Sequence, residues 1–136
     1  MLGEQIAEEL GQITGTRVLA SDDGKGPTIE VSFQAAGHLL GIEATDMGTY
    51  VSTPRPDGTL RASGQGCVLT ADGDIITWTG AAVGRFTGHG SAVSRRGSVI
   101  YYTQSAKLAR VNGILGIFDY DTDESGKTQG RIYEWK

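Results

Sequence analysis

The chain has one cysteine, two histidines and three prolines in 136 residues, and each scarcity closes a class of protein. One cysteine cannot form an internal disulfide, and with two histidines it cannot make a zinc site of Cys and His ligands alone. No metal is expected. No apolar run approaches the ~20 residues that span a bilayer, and the opening Met1-Leu-Gly-Glu-Gln-Ile-Ala-Glu-Glu-Leu-Gly11 carries acids where a signal peptide needs bases. The expectation is a cytoplasmic protein with no membrane partner. Twelve Lys and Arg stand against 16 Asp and Glu, and Arg17, Arg55, Arg61, Arg85 and Arg110 are scattered, which leaves no electrostatic footprint for nucleic acid. The one basic pair, Arg95-Arg96, falls in a predicted strand, where neighbours point to opposite faces, so it is not a patch. The motifs G-x-S-x-G, S-x-x-K and H-E-x-x-H are missing, as are both glycine-rich phosphate loops. No cofactor is expected.

Glycine is present in excess: 21 residues, about twice the average usage, with no collagen period. Leu2, Ile6 and Leu10 fall at helical spacing, which predicts one short helix at the start. Gly11 and the β-leaning Ile13 to Leu19 argue that a strand follows it or absorbs it. Residues 21–27 form a turn cluster. From Thr28 onward the pattern is all strand: Ile29, Val31 and Phe33 alternate with polar residues, Ala35-Ala-Gly37 interrupts, and Leu39 to Val51 is long enough to bend at Gly41 or Gly48. Thr53-Pro-Arg-Pro-Asp-Gly58 is a reversal. Leu60 to Thr70 and Ile75 to Thr87 flank Asp72-Gly73, which suits a two-residue type I′ turn and would set Cys67 opposite Trp78 and Gln65 opposite Gly80. Ala92 to Gln104, a connection with a helical turn at 105–113, Ile114 to Asp121 and Gln129 to Trp135 complete the chain.

About eight strands joined by short reversals make neighbours antiparallel and leave no room for crossover helices. Closure removes their edges, so the expected fold is a single all-β domain over residues 1–136, a closed up-and-down barrel in preference to a sandwich. Gly58, Gly73, Gly88, Gly90 and Gly126 sit at the reversals. Gly41, Gly48, Gly64, Gly66, Gly80, Gly84 and Gly116 sit inside proposed strands, where they cost stability unless the sheet curves sharply or leaves room within.

Alternation then nominates an interior. Ile76, Trp78, Gly80, Ala82, Gly84 and Phe86 share one face, large at both ends and small between, and the type I′ register adds Gln65 and Cys67. Tyr50, Tyr101 or Tyr102, and Phe118 contribute aromatic walls, with Tyr102 taken as the wall residue; the competing reading is that these rings fill a narrow core. Glu43 and Asp46, three residues apart in one strand, face opposite sides, so at most one is inside. A carboxyl there would have a raised pKa suited to acid or base use unless Arg61 or Arg85 offset it. His38 and His89 are candidates for a barrel mouth. Asp119-Tyr-Asp-Thr-Asp123 opens like a calcium loop but has Glu124 at the sixth position and Gly130 at the twelfth, so the EF-hand reading fails.

The segments Gly48-Thr-Tyr-Val-Ser, Arg55-Pro-Asp-Gly-Thr-Leu, Gly64-Gln-Gly, Ala71-Asp-Gly-Asp-Ile-Ile-Thr-Trp-Thr-Gly80, Gly84-Arg-Phe-Thr-Gly88 and Ile132-Tyr-Glu-Trp-Lys resemble a group of small uncharacterised bacterial proteins. In outline the chain also resembles the allene oxide cyclase-like, or calycin-like, barrels. That resemblance implies a barrel enclosing a flexible apolar molecule, in some members with an isomerising cyclase activity, and it transfers no catalytic residue. Three readings follow. The leading one is a barrel that binds a small, largely apolar ligand; the second is an isomerase or cyclase that moves a proton on such a ligand. The third is an oligomeric interaction module, a homo-oligomer packing through Leu2, Ile6 and Leu10. The enzyme requires a buried ionisable group facing a cavity; the carrier requires an apolar cavity without one.

Overall fold

The computed structural model describes residues 1–21 and 26–136, so most of the 21–27 turn cluster lies outside the described residues. Eight strands follow one another around a closed barrel: β1 Leu2–Leu19, β2 Thr28–Leu39, β3 Ile42–Pro54, β4 Leu60–Thr70, β5 Ile75–Phe86, β6 Val93–Thr103, β7 Leu115–Thr122 and β8 Lys127–Trp135. Every pairing is antiparallel, and β1 closes the sheet by bonding β2 on one side and β8 on the other. Closure leaves no free sheet edge, which is what eight strands joined by short reversals demand. Among the described residues no helix is long and apolar enough to cross a membrane. Among the described residues the one helical segment is a 3₁₀ turn at Ala109–Gly113, in the β6–β7 connection.

The expected N-terminal helix is absent, and its residues belong to β1. Register partners on both flanks, from Ala7↔Leu39 and Ala7↔Ile132 outward, outweigh the weak helical spacing. Shifts in the β8 pairing around Gln5 and Ala7 bulge the strand, so that Ile6 and Ala7 are both buried in succession while Leu2 and Leu10 stay exposed.

Two reversals differ from the sequence-based expectation. Residues 35–37 do not interrupt β2; the chain turns at Leu40 and Gly41, both at positive φ (50° and 78°), between the paired Leu39 and Ile42. This is the two-residue primed geometry, here with a leucine in a conformation that favours glycine. The β4–β5 turn takes one residue more than predicted. The Gly73 amide donates to the Thr70 carbonyl at 3.0 Å, the Thr70 amide to the Asp74 carbonyl at 3.0 Å, and Gly73 has φ 88°. A type I turn followed by a left-handed glycine makes a three-residue loop. Gly66 therefore pairs with Trp78, and Cys67 with Thr77. A one-residue slip exchanges the faces of a strand: Val68, Gly66, Gly64 and Ala62 point inward, and Gln65 is exposed.

The interior is apolar at one end, where Leu108, Val111 and Ile114 from the β6–β7 connection pack with Ile6, Leu39, Ile76 and Tyr101. A second cluster, Val31, Phe33, Ala35, Tyr50, Ala62 and Tyr120, fills the middle, and Trp78 and Phe118 touch both. Inward rings lie where a neighbouring strand has no side chain. A Cβ on Gly66 would come within 2.3 Å of the Trp78 ring and 2.5 Å of the Met47 carbonyl oxygen, and one on Gly97 within 2.6 Å of the Phe118 ring. Gly66→Ala should thus lower stability in urea unfolding by about 2 kcal/mol or more through overpacking. Gly15→Ala, where a Cβ meets nothing within 4 Å, should change it by less than about 0.5 kcal/mol.

Candidate functional site

Alternation on the eight strands brings ionisable groups into the barrel at two levels. On β3 the inward residues are Ala44, Asp46, Gly48, Tyr50 and Ser52; on β6 they are Val93, Arg95, Gly97, Val99, Tyr101 and Thr103. The bulge in β1 turns Ala7 and Glu9 toward the same space. Between these strands lies a void of ≈ 100 Å³ lined by Phe33, Tyr50, Trp78, Tyr101, Phe118 and Tyr120, with Ala62, Gly64, Gly80 and Ala82 supplying the room.

At the level nearer the apolar end, the Glu9 and Asp46 side chains are within hydrogen-bonding reach of each other. The Trp78 indole Nε1–H donates to Asp46 Oδ1 at 2.7 Å. Burial pushes the Glu9 carboxyl well above its ordinary value, and the adjacent Asp46 adds to the rise. Burial also raises Asp46, but the hydrogen bonds from Glu9 and Trp78 favour its charged form. Two close carboxyls cannot both ionise cheaply, so the pair shares a proton, with Asp46 as the anion and Glu9 as the acid. Burial and the charge of this pair hold Tyr101 in its neutral phenol form.

Toward the other end, Arg95 is only 6% exposed. Its stem crosses Gly84, the register partner on β5, where a Cβ would come within 2.8 Å of Arg95 Cγ. Its guanidinium lies 4.9 Å from the centre of the Tyr50 ring and donates to Ser52 Oγ at 3.3 Å. Phe33, Tyr50 and Tyr120 form a ring cluster with centroids 5.6 to 6.2 Å apart. Burial raises the pKa of both tyrosines, so both keep their hydroxyl protons at neutral pH.

The residues nominated from sequence divide by face. Asp46, Tyr50, Ile76, Trp78 and Phe118 point inward. Glu43 and His38 are exposed register partners on the outer wall, since the count of residues from Asp46 and Leu39 puts them on the opposite pleat. Gln65 and Tyr102 are exposed too, the first by the turn slip and the second because Tyr101 takes the inward position opposite Trp78. Phe86 shares the inward face but ends β5 at the rim and is 58% exposed. Arg61, Arg85 and His89 are exposed. Asp119 pairs with Arg131, and Asp123 Oδ1 accepts from the Ser125 and Lys127 amides of the β7–β8 turn; among the described residues no three His, Cys, Asp or Glu side chains gather as metal ligands. Sequence reasoning missed Glu9, Phe33, Arg95 and Tyr120. The Val93, Arg95, Gly97, Val99 alternation would have found Arg95, because one member of an arginine pair in a barrel strand has to face inward.

These features define a closed eight-stranded antiparallel barrel with an acid pair and an arginine around an aromatic-walled interior. No protein-family model and no curated protein matches the chain. Among solved structures it is similar to a protein of unknown function from Clostridium acetobutylicum ATCC 824, at 13% identity and a TM-score of 0.83, over 98% of each chain. It is also similar to a beta-barrel like protein from Acinetobacter baumannii AYE, at 10% identity and a TM-score of 0.82, over 100% of this chain and 96% of that one. A conserved protein of unknown function from Rhodopseudomonas palustris matches at 12% identity and 0.81, over 98% and 97%. Likeness at this identity establishes the barrel fold.

The acid pair makes stability depend on pH with a definite sign. Both carboxyls bind protons more tightly in the barrel than in the unfolded chain, so the pair's contribution to stability is greatest below the ordinary carboxyl values of 3.8 and 4.5. It falls as pH rises from there through the raised values of the folded pair, by about 1.4 kcal/mol for each unit of upward shift. Glu9→Gln removes one acid and leaves an amide that donates to Asp46. Urea midpoints from pH 4 to 8 should show the variant gaining on the wild type as pH rises; parallel curves would count against a shared proton.

Proposed function

We propose that the barrel binds a small, largely apolar molecule in its interior. The observation that carries this reading is the ≈ 100 Å³ void among Phe33, Tyr50, Trp78 and Phe118, held open by Gly64, Gly80 and Ala82. A dry engineered cavity of about 150 Å³ holds benzene, so the ligand is smaller than benzene or displaces side chains to enter. Apolar walls with a few convergent polar groups are the usual composition of a small-molecule site.

A second reading, an isomerase, is favoured over a passive carrier by the Glu9–Asp46 pair, a buried ionisable group facing the void that an inert carrier would lack. A carboxylate and a carboxylic acid side by side can take a proton from one carbon of a bound molecule and return one to another, which balances without a cofactor.

Two tryptophans make interior binding directly observable. The Trp78 indole N–H is inside and bonded to Asp46, whereas Trp135 is 51% exposed. In a screen of small fragments by NMR, interior ligands should shift the Trp78 indole resonance and leave that of Trp135 in place. Ala62→Leu, which fills the void, should abolish the shift. A library in which no fragment moves Trp78 selectively would contradict the reading.

A further inference from the structure

Among the described residues Arg95 is the one buried cation, and they give it no acid. No carboxylate lies within 4 Å of its guanidinium, whereas Arg17, Arg96, Arg110 and Arg131 all have one. Its partners are a long hydrogen bond to Ser52 and the face of Tyr50. Its Nε–H is buried without a hydrogen-bond partner, and the Tyr120 hydroxyl and Thr122 Oγ1 beside it make no hydrogen bond of good geometry, with only the Tyr50 and Thr128 hydroxyls in reach. Tyr120 is the register partner of Arg95 on β7, and Thr122 follows two residues on along the same inward face. A buried guanidinium N–H without a partner, beside two hydroxyls that reach only other hydroxyls, is an arrangement native interiors avoid unless something else satisfies it. Water would satisfy the hydrogen bonds but not the charge, and an unpaired buried charge is strongly destabilising.

We propose that Arg95, with the Tyr120 hydroxyl and Thr122 Oγ1, is the anchoring site for the carboxylate of a small aliphatic monocarboxylic acid, whose hydrocarbon body lies against Phe33 and Tyr50. The proposal rests on the interior-binding reading above and names its ligand class. A planar guanidinium edge matches a planar carboxylate, and one fixed positive charge balances one negative charge. A phosphate dianion would bring a second negative charge that nothing near Arg95 offsets. Tyr120 stays protonated at neutral pH and so remains a donor. The negative charge left on the Glu9–Asp46 pair is engaged by the Trp78 indole, and neither carboxyl is ion-paired with Arg95.

Butyrate and butyramide, equal in shape and different in charge, test this on the intact chain at pH 7 by calorimetry and by the Trp78 resonance. Butyrate should bind at least tenfold more tightly than butyramide, and inorganic phosphate should not compete with it. Arg95→Gln should weaken butyrate at least tenfold and leave butyramide unchanged, and Arg95→Lys, which keeps the charge and loses the fork, should fall between. The wild-type comparison stands even if both variants fail to fold. Equal binding of butyrate and butyramide would overturn the anchoring role of Arg95 and leave interior binding intact, as would selective Trp78 shifts from neutral fragments alone. Competition by phosphate at similar concentrations would overturn the carboxylate class. A chain in which no molecule moves Trp78 would overturn both this proposal and the reading on which it rests.

Discussion

The inward rings of Trp78, Phe33 and Phe118 occupy positions that neighbouring strands leave empty, and the interior depends on this packing of ring against glycine. Trp78 takes the space of side chains missing at Gly48 and Gly66, Phe33 shares that at Gly48, and Phe118 takes that at Gly97. Eight strands enclose little more than their own side chains. Rings can enter such a barrel only where an opposing strand gives up its Cβ, and the glycines that cost the sheet conformational entropy do so to seat them. Where the rings meet small residues on every side, as around Gly80 and Ala82, the packing stops short and the void remains.

The same packing governs the charged groups. The stem of Arg95 passes through the gap at Gly84, and Asp46 is held by the indole of a ring that itself lies on two glycines. Neither arrangement favours stability: the acid pair loses free energy on ionising, and the arginine is buried without an acid. Groups that burden a fold in this way mark sites better than the fold does. The three solved barrels, at 10 to 13% identity, share the architecture and leave the chemistry of these particular side chains open.

Much of this was legible in the sequence, and the failures have physical causes. The eight strands, their antiparallel order and their closure follow from alternation and turn residues. The inward face of β5 also followed, because Ile76 to Gly84 alternates without a bulge. The partner face on β4 was missed through one residue of turn length: Asp-Gly serves both a two-residue and a three-residue loop, and only backbone hydrogen bonds at Thr70 separate them. Glu9 was hidden by the helical spacing of Leu2, Ile6 and Leu10, which a bulged strand also produces. Between Tyr101 and Tyr102, local pattern offers no preference; the register with Trp78 decides.

The anion site proposed at Arg95 is open to direct observation. Crystal structures of the chain grown with butyrate and with butyramide test it most directly. The account predicts planar density in the butyrate crystal about 2.8 Å from Arg95 Nε and within hydrogen-bond distance of the Tyr120 hydroxyl, and no such density with butyramide. Water alone against Arg95 in both crystals, or butyrate lodged with its head at Glu9 and Asp46, would contradict it.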